Sequence, residues 1–245
     1  MTKVYDLDQK GYVALKRIPM GLICDISSSM ETEKEILKKA IGGFMDHLKS
    51  DTKFAKSVDL LIIYYNGDYK DRKAVQVKAN FEPLERIKKD RLLDFVCEGY
   101  TDTGLALLEG CRLLDEKKKE YKREQIDYYQ PMLFLLTDGY PVAWKGAKEE
   151  EKEEIRKKYE MAVAEIHQRV SDRKLSIAAA GIQRNDQANS ANMETLRELT
   201  PNAIRISEDI EGLDTIMDFF DFLEDTLTEV QKDTPVDEVL HEVFL

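Results

Sequence analysis

Long apolar runs alternate along the chain with stretches of helical periodicity. Ile18-Pro19-Met20-Gly21-Leu22-Ile23-Cys24 reads as a buried strand. So do Val58 to Tyr65, which stops at the turn Asn66-Gly67-Asp68, and Pro131 to Leu136. Leu175 to Gly181 predicts a strand of small residues and Ala203 to Ile206 a short one, while Ala74-Val75-Gln76-Val77 alternates weakly, as a short edge strand does. Between these runs, Ile36, Leu37, Ala40, Ile41, Phe44, Met45 and Leu48 recur at helical spacing behind a capping-box pair, Ser28 and Glu31. A second helix begins at Thr101 or Asp102 and continues through Leu105, Leu108 and Leu113. A long charged helix covers about 148–173, with an inward face only in its second half: Ile155, Tyr159, Ala162, Val163, Ile166 and Val170. Leu84 to Phe95 reads as loop with at most one helix, and Met193 to Leu199 as a short helix. The last amphipathic helix, Ile210 to Val230, carries Ile210, Leu213, Met217, Phe220, Leu223 and Leu227 on one face. Phe219 and Phe222 fall off that stripe, and packing against the N-terminal segment is preferred for them over an exposed patch.

Strands alternating with helices predict an α/β fold whose mainly parallel sheet is covered on both faces. Ligands of such sheets sit beyond the carboxyl ends of the strands, where the strand order switches. Asp25 and Asp138 both lie at such ends, which puts two carboxylates on one rim.

Composition narrows the class. A chain of 245 residues, 42% hydrophobic, suits one large domain with a sizeable core, and 35% charged residues imply heavily solvated helices. The formal net charge of -11 argues against nucleic acid as a partner, because lysines here are interleaved with glutamates, as in Lys117-Lys118-Lys119-Glu120. No apolar run approaches a membrane span, and Met1-Thr2-Lys3-Val4-Tyr5-Asp6 lacks an apolar signal core. Cys24, Cys97 and Cys111 have neither metal-ligand spacing nor a disulfide framework. The expectation is a soluble, cytoplasmic protein in a reducing compartment. Residues 1–15 read as an N-terminal extension, 16–230 as the domain and 231–245 as a C-terminal tail. In that tail Thr234-Pro235 starts a short helix bearing Val236, Val239, Leu240 and Val243. So short a helix must dock on its own domain, the preferred reading, or on a partner.

The chemistry concentrates at Asp25-Ile26-Ser27-Ser28-Ser29, where a carboxylate and hydroxyls alternate as a strand gives way to a helix. Gly99-Tyr100-Thr101 and Leu135-Leu136-Thr137-Asp138-Gly139 offer a further hydroxyl and a second carboxylate. Hard oxygen donors suit a small dication such as Mg2+, which keeps waters in the positions that protein does not fill. An incoming Asp or Glu carboxylate would replace one of those waters. Taken alone, the serines are an ordinary N-cap and Asp-Gly an ordinary turn; the order of three elements at strand ends and helix starts is what points to a metal.

With these residues the chain resembles the von Willebrand factor A (VWA) family and its metal-ion-dependent adhesion site, Asp-x-Ser-x-Ser followed by a Thr and an Asp. The resemblance implies a Rossmann-like, doubly wound, mainly parallel sheet with one antiparallel edge strand and helices on both faces. It assigns Ser27 and Ser29 as direct metal ligands, Asp25 and Asp138 as ligands direct or through water, and Thr101 to the first or second shell; Thr103 is the competing threonine. It implies Mg2+, with Mn2+ or Ca2+ as alternatives. The chain departs from the family at two points: Tyr100 replaces the second glycine of Gly-Gly-Thr and is expected to crowd the rim, and Ser28 replaces a glycine between the two serines. The likeness is most specific for the bacterial tellurium-resistance TerY-like group. It rests on Arg17-Ile18-Pro19, on Asp138-Gly139-Tyr140-Pro141 followed by Trp144, on Ala180-Gly181-Ile182 followed by Asn192-Met193-Glu194-Thr195-Leu196, and on Phe219-Phe220-Asp221-Phe222-Leu223. It implies a non-enzymatic scaffold in a stress-response or phospho-signalling assembly, whose partner presents an exposed Asp or Glu, with a protein kinase and a metal-dependent protein phosphatase as associates.

Other chemistries fit less well. There is no P-loop. A haloacid-dehalogenase-type site needs a carboxylate two residues after Asp25, where Ser27 stands. His47, His167 and His241 are too dispersed for a zinc site. A metal-dependent phosphoester hydrolase remains the alternative, weakened by the lack of a general base.

Overall fold

A computed structural model of the chain describes residues 5–8, 11–67, 74–138, 147–182, 193–206 and 216–243. Two short strands, β1 (Tyr5–Asp8) and β2 (Gly11–Ala14), form an antiparallel hairpin within the stretch read as an extended leader. The main sheet has six strands: β3 (Ile18–Asp25), β4 (Val58–Tyr65), β5 (Val75–Pro83), β6 (Met132–Thr137), β7 (Ser176–Ile182) and β8 (Ala203–Ile206). Their order is β5-β4-β3-β6-β7-β8; β5 runs antiparallel to β4 and every other pairing is parallel. This is the expected α/β architecture with its single antiparallel edge.

The continuous apolar runs are explained by burial on both faces. Met20, Leu22 and Cys24 of β3 belong to one core. It also contains Leu37, Ile41 and Phe44 of α1 (Lys34–Ser50) and Phe219, Phe220 and Leu223 of α7 (Ile216–Gln231). Ile23 of β3 with Leu133 and Leu135 of β6 face the other core, beneath α4 (Thr103–Glu124), α5 (Glu149–Ser171) and α6 (Met193–Leu199). Between β4 and α4 lie β5 and two small elements, a 3-10 turn at Leu84–Arg86 and α3 (Lys89–Leu93), in the stretch read as mostly loop. A one-turn helix α2 (Thr52–Ser57), capped by Asp51, leads into β4.

Several expectations are revised. Ile36 is 44% exposed, since the buried stripe of α1 is Leu37, Ala40, Ile41, Phe44, Met45 and Leu48. Val170 is likewise partly exposed at the end of α5. The edge strand is nine residues long, not four. The apolar–polar alternation continues past Val77 to Pro83, while the pairing with β4 slips twice near Ile62 and Phe81 takes φ +42. Phe219 and Phe222 are buried as expected, and Phe222 meets Phe134 of β6 edge-on. The tail forms α8 (Val236–Val243) and docks on its own domain: Val236, Val239 and Leu240 are buried, and Asp237 accepts a hydrogen bond from Ser176 of β7. Pro141, Trp144, Asn192, Ile210 and Leu213 lie outside the described residues.

A buried polar cluster stands at the amino ends of β3 and β4. Asp59, the one charged residue in the run Val58–Tyr65, accepts a two-pronged contact from Arg17 (3.0 and 2.5 Å). It also accepts from the Tyr121 hydroxyl (2.6 Å) and faces Lys117 at 3.6 Å. Arg17 further donates to the carbonyls of Lys56 and Val58. All four side chains are buried, so the charges there are paired as burial requires.

Candidate metal centre

The strand order switches between β3 and β6: the chain leaves β3 toward β4 on one side and returns to place β6 on the other. The connections that leave the carboxyl ends of these two strands therefore run to opposite sides, which is where such sheets place their ligands. Asp25 is the last residue of β3 and Asp138 follows the last residue of β6. Both are fully buried, and so is Ser27.

The Asp25 carboxylate is held from two directions. Its Oδ1 accepts from the backbone N–H of Ser27 (2.8 Å) and its Oδ2 from the Thr137 hydroxyl (2.7 Å). Ser29 donates to Asp138 Oδ1 (2.8 Å), and the Ser27 and Ser29 hydroxyls lie 3.0 Å apart. One hydrogen-bonded web thus joins both carboxylates to both serines. Burial, then the neighbouring Asp138 charge, push the Asp25 carboxyl up to about 7, against the lowering effect of Thr137 and Ser27. Two buried carboxylates that repel each other, with neutral hydroxyls between them, form a donor set that a dication fits in charge and in hardness. Among the described residues no group of three or more His, Cys, Asp or Glu is placed to hold a metal; the hydroxyls must complete the set.

Thr101 is buried just before α4, and among the described residues no hydrogen bond joins it to the two carboxylates; its loop does meet the serine loop. Glu98 donates its N–H to Ile26 O (3.0 Å), and Ser28 donates to Gly99 O. Asp102, not Thr101, caps α4, accepting from Leu105 N–H (3.1 Å), with Lys158 at 3.7 Å. The competing Thr103 turns to Tyr65, 3.3 Å away. One detail differs from the sequence reading. The Ser28–Glu31 capping box does not form, because the Ser28 hydroxyl goes to Gly99 O while Glu31 pairs with Lys34. Tyr100, expected to crowd the rim, does lie at the strands' carboxyl ends, with its ring over Gly67 just beyond β4. Thr137 was missed as a partner of Asp25; a hydroxyl directly before the strand-end Asp138, on the strand beside β3, was the available signal.

The fold is the one seen in VWA domains. The chain is similar to the pilus adhesin SpaC from Lactobacillus rhamnosus GG (TM-score 0.60, 12% identity), covering 94% of this chain and 31% of that one. The chain thus spans about a third of that adhesin's length. It is also similar to the vWF domain of the type V pili tip protein Mfa5 from Porphyromonas gingivalis (TM-score 0.58, 10% identity, 88% of this chain and 96% of that). A third likeness is to proximal thread matrix protein 1 from the mussel byssus with a zinc-occupied MIDAS motif (TM-score 0.50, 16% identity, 84% and 47%). No family sequence model matches the chain, and no curated protein matches it in sequence. Among the described residues no helix is long and apolar enough to cross a membrane.

Proposed function

We propose that this chain binds a divalent cation, Mg2+ by preference and Mn2+ or Ca2+ as alternatives, through Asp25, Ser27, Ser29, Thr101 and Asp138, and uses it to take the Asp or Glu carboxylate of a protein partner. The observation that carries this reading is the pair of fully buried carboxylates tied to two serine hydroxyls at the sheet's switch point. The cation, when bound, supplies two positive charges and an open coordination position for an acid. The chain's own residues do the rest. Thr137 and the Ser27 amide fix the orientation of Asp25, and Ser29 does the same for Asp138. The two carboxylates balance a dication, so an acidic ligand adds its charge to a nearly neutral site.

The role is non-enzymatic. His47 faces Glu224 in the last turn of α1, and His167 bonds to Leu199 O, so these imidazoles are engaged away from the rim. Three buried, unpaired cysteines support a reducing, cytoplasmic setting. The functional unit is 16–230, with 1–15 as an extension and 231–245 as a tail. The TerY-like motifs favour a scaffold in a bacterial stress-response assembly that includes a kinase and a metal-dependent phosphatase, with neither nucleic acid nor membrane as partner. Affinity capture from cell extract in Mg2+ and in chelator tests the reading. Partners retained in Mg2+, released by chelator and absent with Asp25→Ala support it; identical partners under all three conditions refute it.

A further inference from the structure

Ser28 and Tyr100 are the two positions at which the rim departs from the VWA pattern, and both side chains act on the same short loop. Ser28 directs two donors, its N–H (3.0 Å) and its hydroxyl (2.8 Å), at the carbonyl of Gly99. Gly99 holds φ +76, which favours glycine and turns that carbonyl toward the serine loop. The next amide back, that of Glu98, is tied to Ile26 O. On the loop's other flank, Gly67 pairs with Tyr100 as an isolated antiparallel bridge. The Tyr100 ring covers Gly67 so closely that a Cβ there would lie 2.0 Å from Cδ2 and 2.3 Å from Cε2. Residue 101 therefore follows a segment clamped between two loops and precedes Asp102, which caps α4.

We propose that Ser28 and Tyr100 are positioning residues that latch the Gly99–Thr101 loop, so that Thr101 is already in place when a cation arrives; this rests on the reading of the rim as a metal centre. Glycine at either position would keep the backbone bonds but lack the hydroxyl and the ring that complete the latch. The ordering entropy of the loop is then lost on folding, not on binding, which favours ligand affinity.

Hydrogen exchange on the full-length, metal-free protein reads the latch, and Mg2+ calorimetry reads its consequence. Ser28→Ala should speed exchange across 98–101 about fivefold, the worth of one hydrogen bond, with β7 unchanged. Tyr100→Gly should act in the same segment. Mg2+ affinity should fall by a similar factor in both, and Ser28→Thr, which keeps the hydroxyl, should restore exchange and affinity together. Wild-type exchange rates in both variants overturn the latch, and faster exchange with unchanged Mg2+ affinity overturns its positioning role. A wild-type protein that gives no Mg2+ heat defeats the metal reading itself, and that outcome is distinct from either of these.

Discussion

Replacing Asp25 by Asn should stabilise the metal-free protein at neutral and alkaline pH while removing its response to Mg2+. The amide is isosteric and keeps both local partners: Oδ1 still accepts from Ser27 N–H, and Nδ2 can donate to the Thr137 hydroxyl, which turns to accept. What it removes is a buried charge beside Asp138. The Asp25 carboxyl rises from an ordinary 3.8 to about 7 on folding. Between those values the folded chain keeps a proton that the unfolded chain has released, so metal-free stability falls as pH rises through this window. At about 1.4 kcal/mol per pH unit the loss reaches roughly 4 kcal/mol above pH 7, shared by the coupled pair. For a chain of this size that corresponds to roughly 8–16 °C in melting temperature. Thermal or urea unfolding in chelator, at about pH 4 and about pH 8, measures it. The stability advantage of Asp25→Asn over wild type should be near zero at the acid end and grow toward that figure at the alkaline end. Added Mg2+ should then raise wild type alone, by mass action on the folded state. An advantage that does not change with pH, or a variant that loses stability at pH 8, would refute the electrostatic account.

Other perturbations probe the scaffold. Arg17→Met should cost about 3–5 kcal/mol by urea unfolding, because Asp59 keeps Lys117 and Tyr121 but loses its two-pronged partner in a dry setting. Gly104→Ala should cost about 1–3 kcal/mol. A Cβ there would lie 2.5 Å from the backbone nitrogen of Tyr159, so α5 must move off α4, and a variant that melts with wild type contradicts that contact. Leu240→Ala should cost about 2–5 kcal/mol, because Leu240 is buried in the core, and a variant that unfolds with wild type contradicts the docking of α8.

The strands were legible because a doubly covered parallel sheet makes its strands uniformly apolar; β3, β4 and β6 fall within a residue or so of the sequence runs. β5 was read too short: its apolar–polar alternation runs on from Val75 to Pro83, but the register slips and the left-handed Phe81, which put Ala79 and Phe81 in opposite cores, carry no signal in the sequence. Ile36 was misassigned because a seven-residue list at helical spacing tolerates one member just off the buried stripe. At the rim, Asp25 and Asp138 could be placed together by topology, which carries strand ends to one side whatever the side chains do. The partners of those carboxylates could not. Thr137 reaches Asp25 through the register of β3 and β6, and Ser28 reaches Gly99 across 71 positions of sequence. The Arg17–Asp59 pair had a signal, a lone carboxylate inside an apolar strand beside an arginine that enters the neighbouring one, but its partners on α4 are set by packing alone.

Calorimetric titration of the full-length protein with Mg2+ at about pH 8 tests the central claim most directly. One ion should bind per chain, and the heat should vanish in Asp138→Asn, a variant that keeps an acceptor for Ser29. Absence of heat in the wild type, or binding that survives the loss of that carboxylate, would contradict the assignment of this rim as a metal centre.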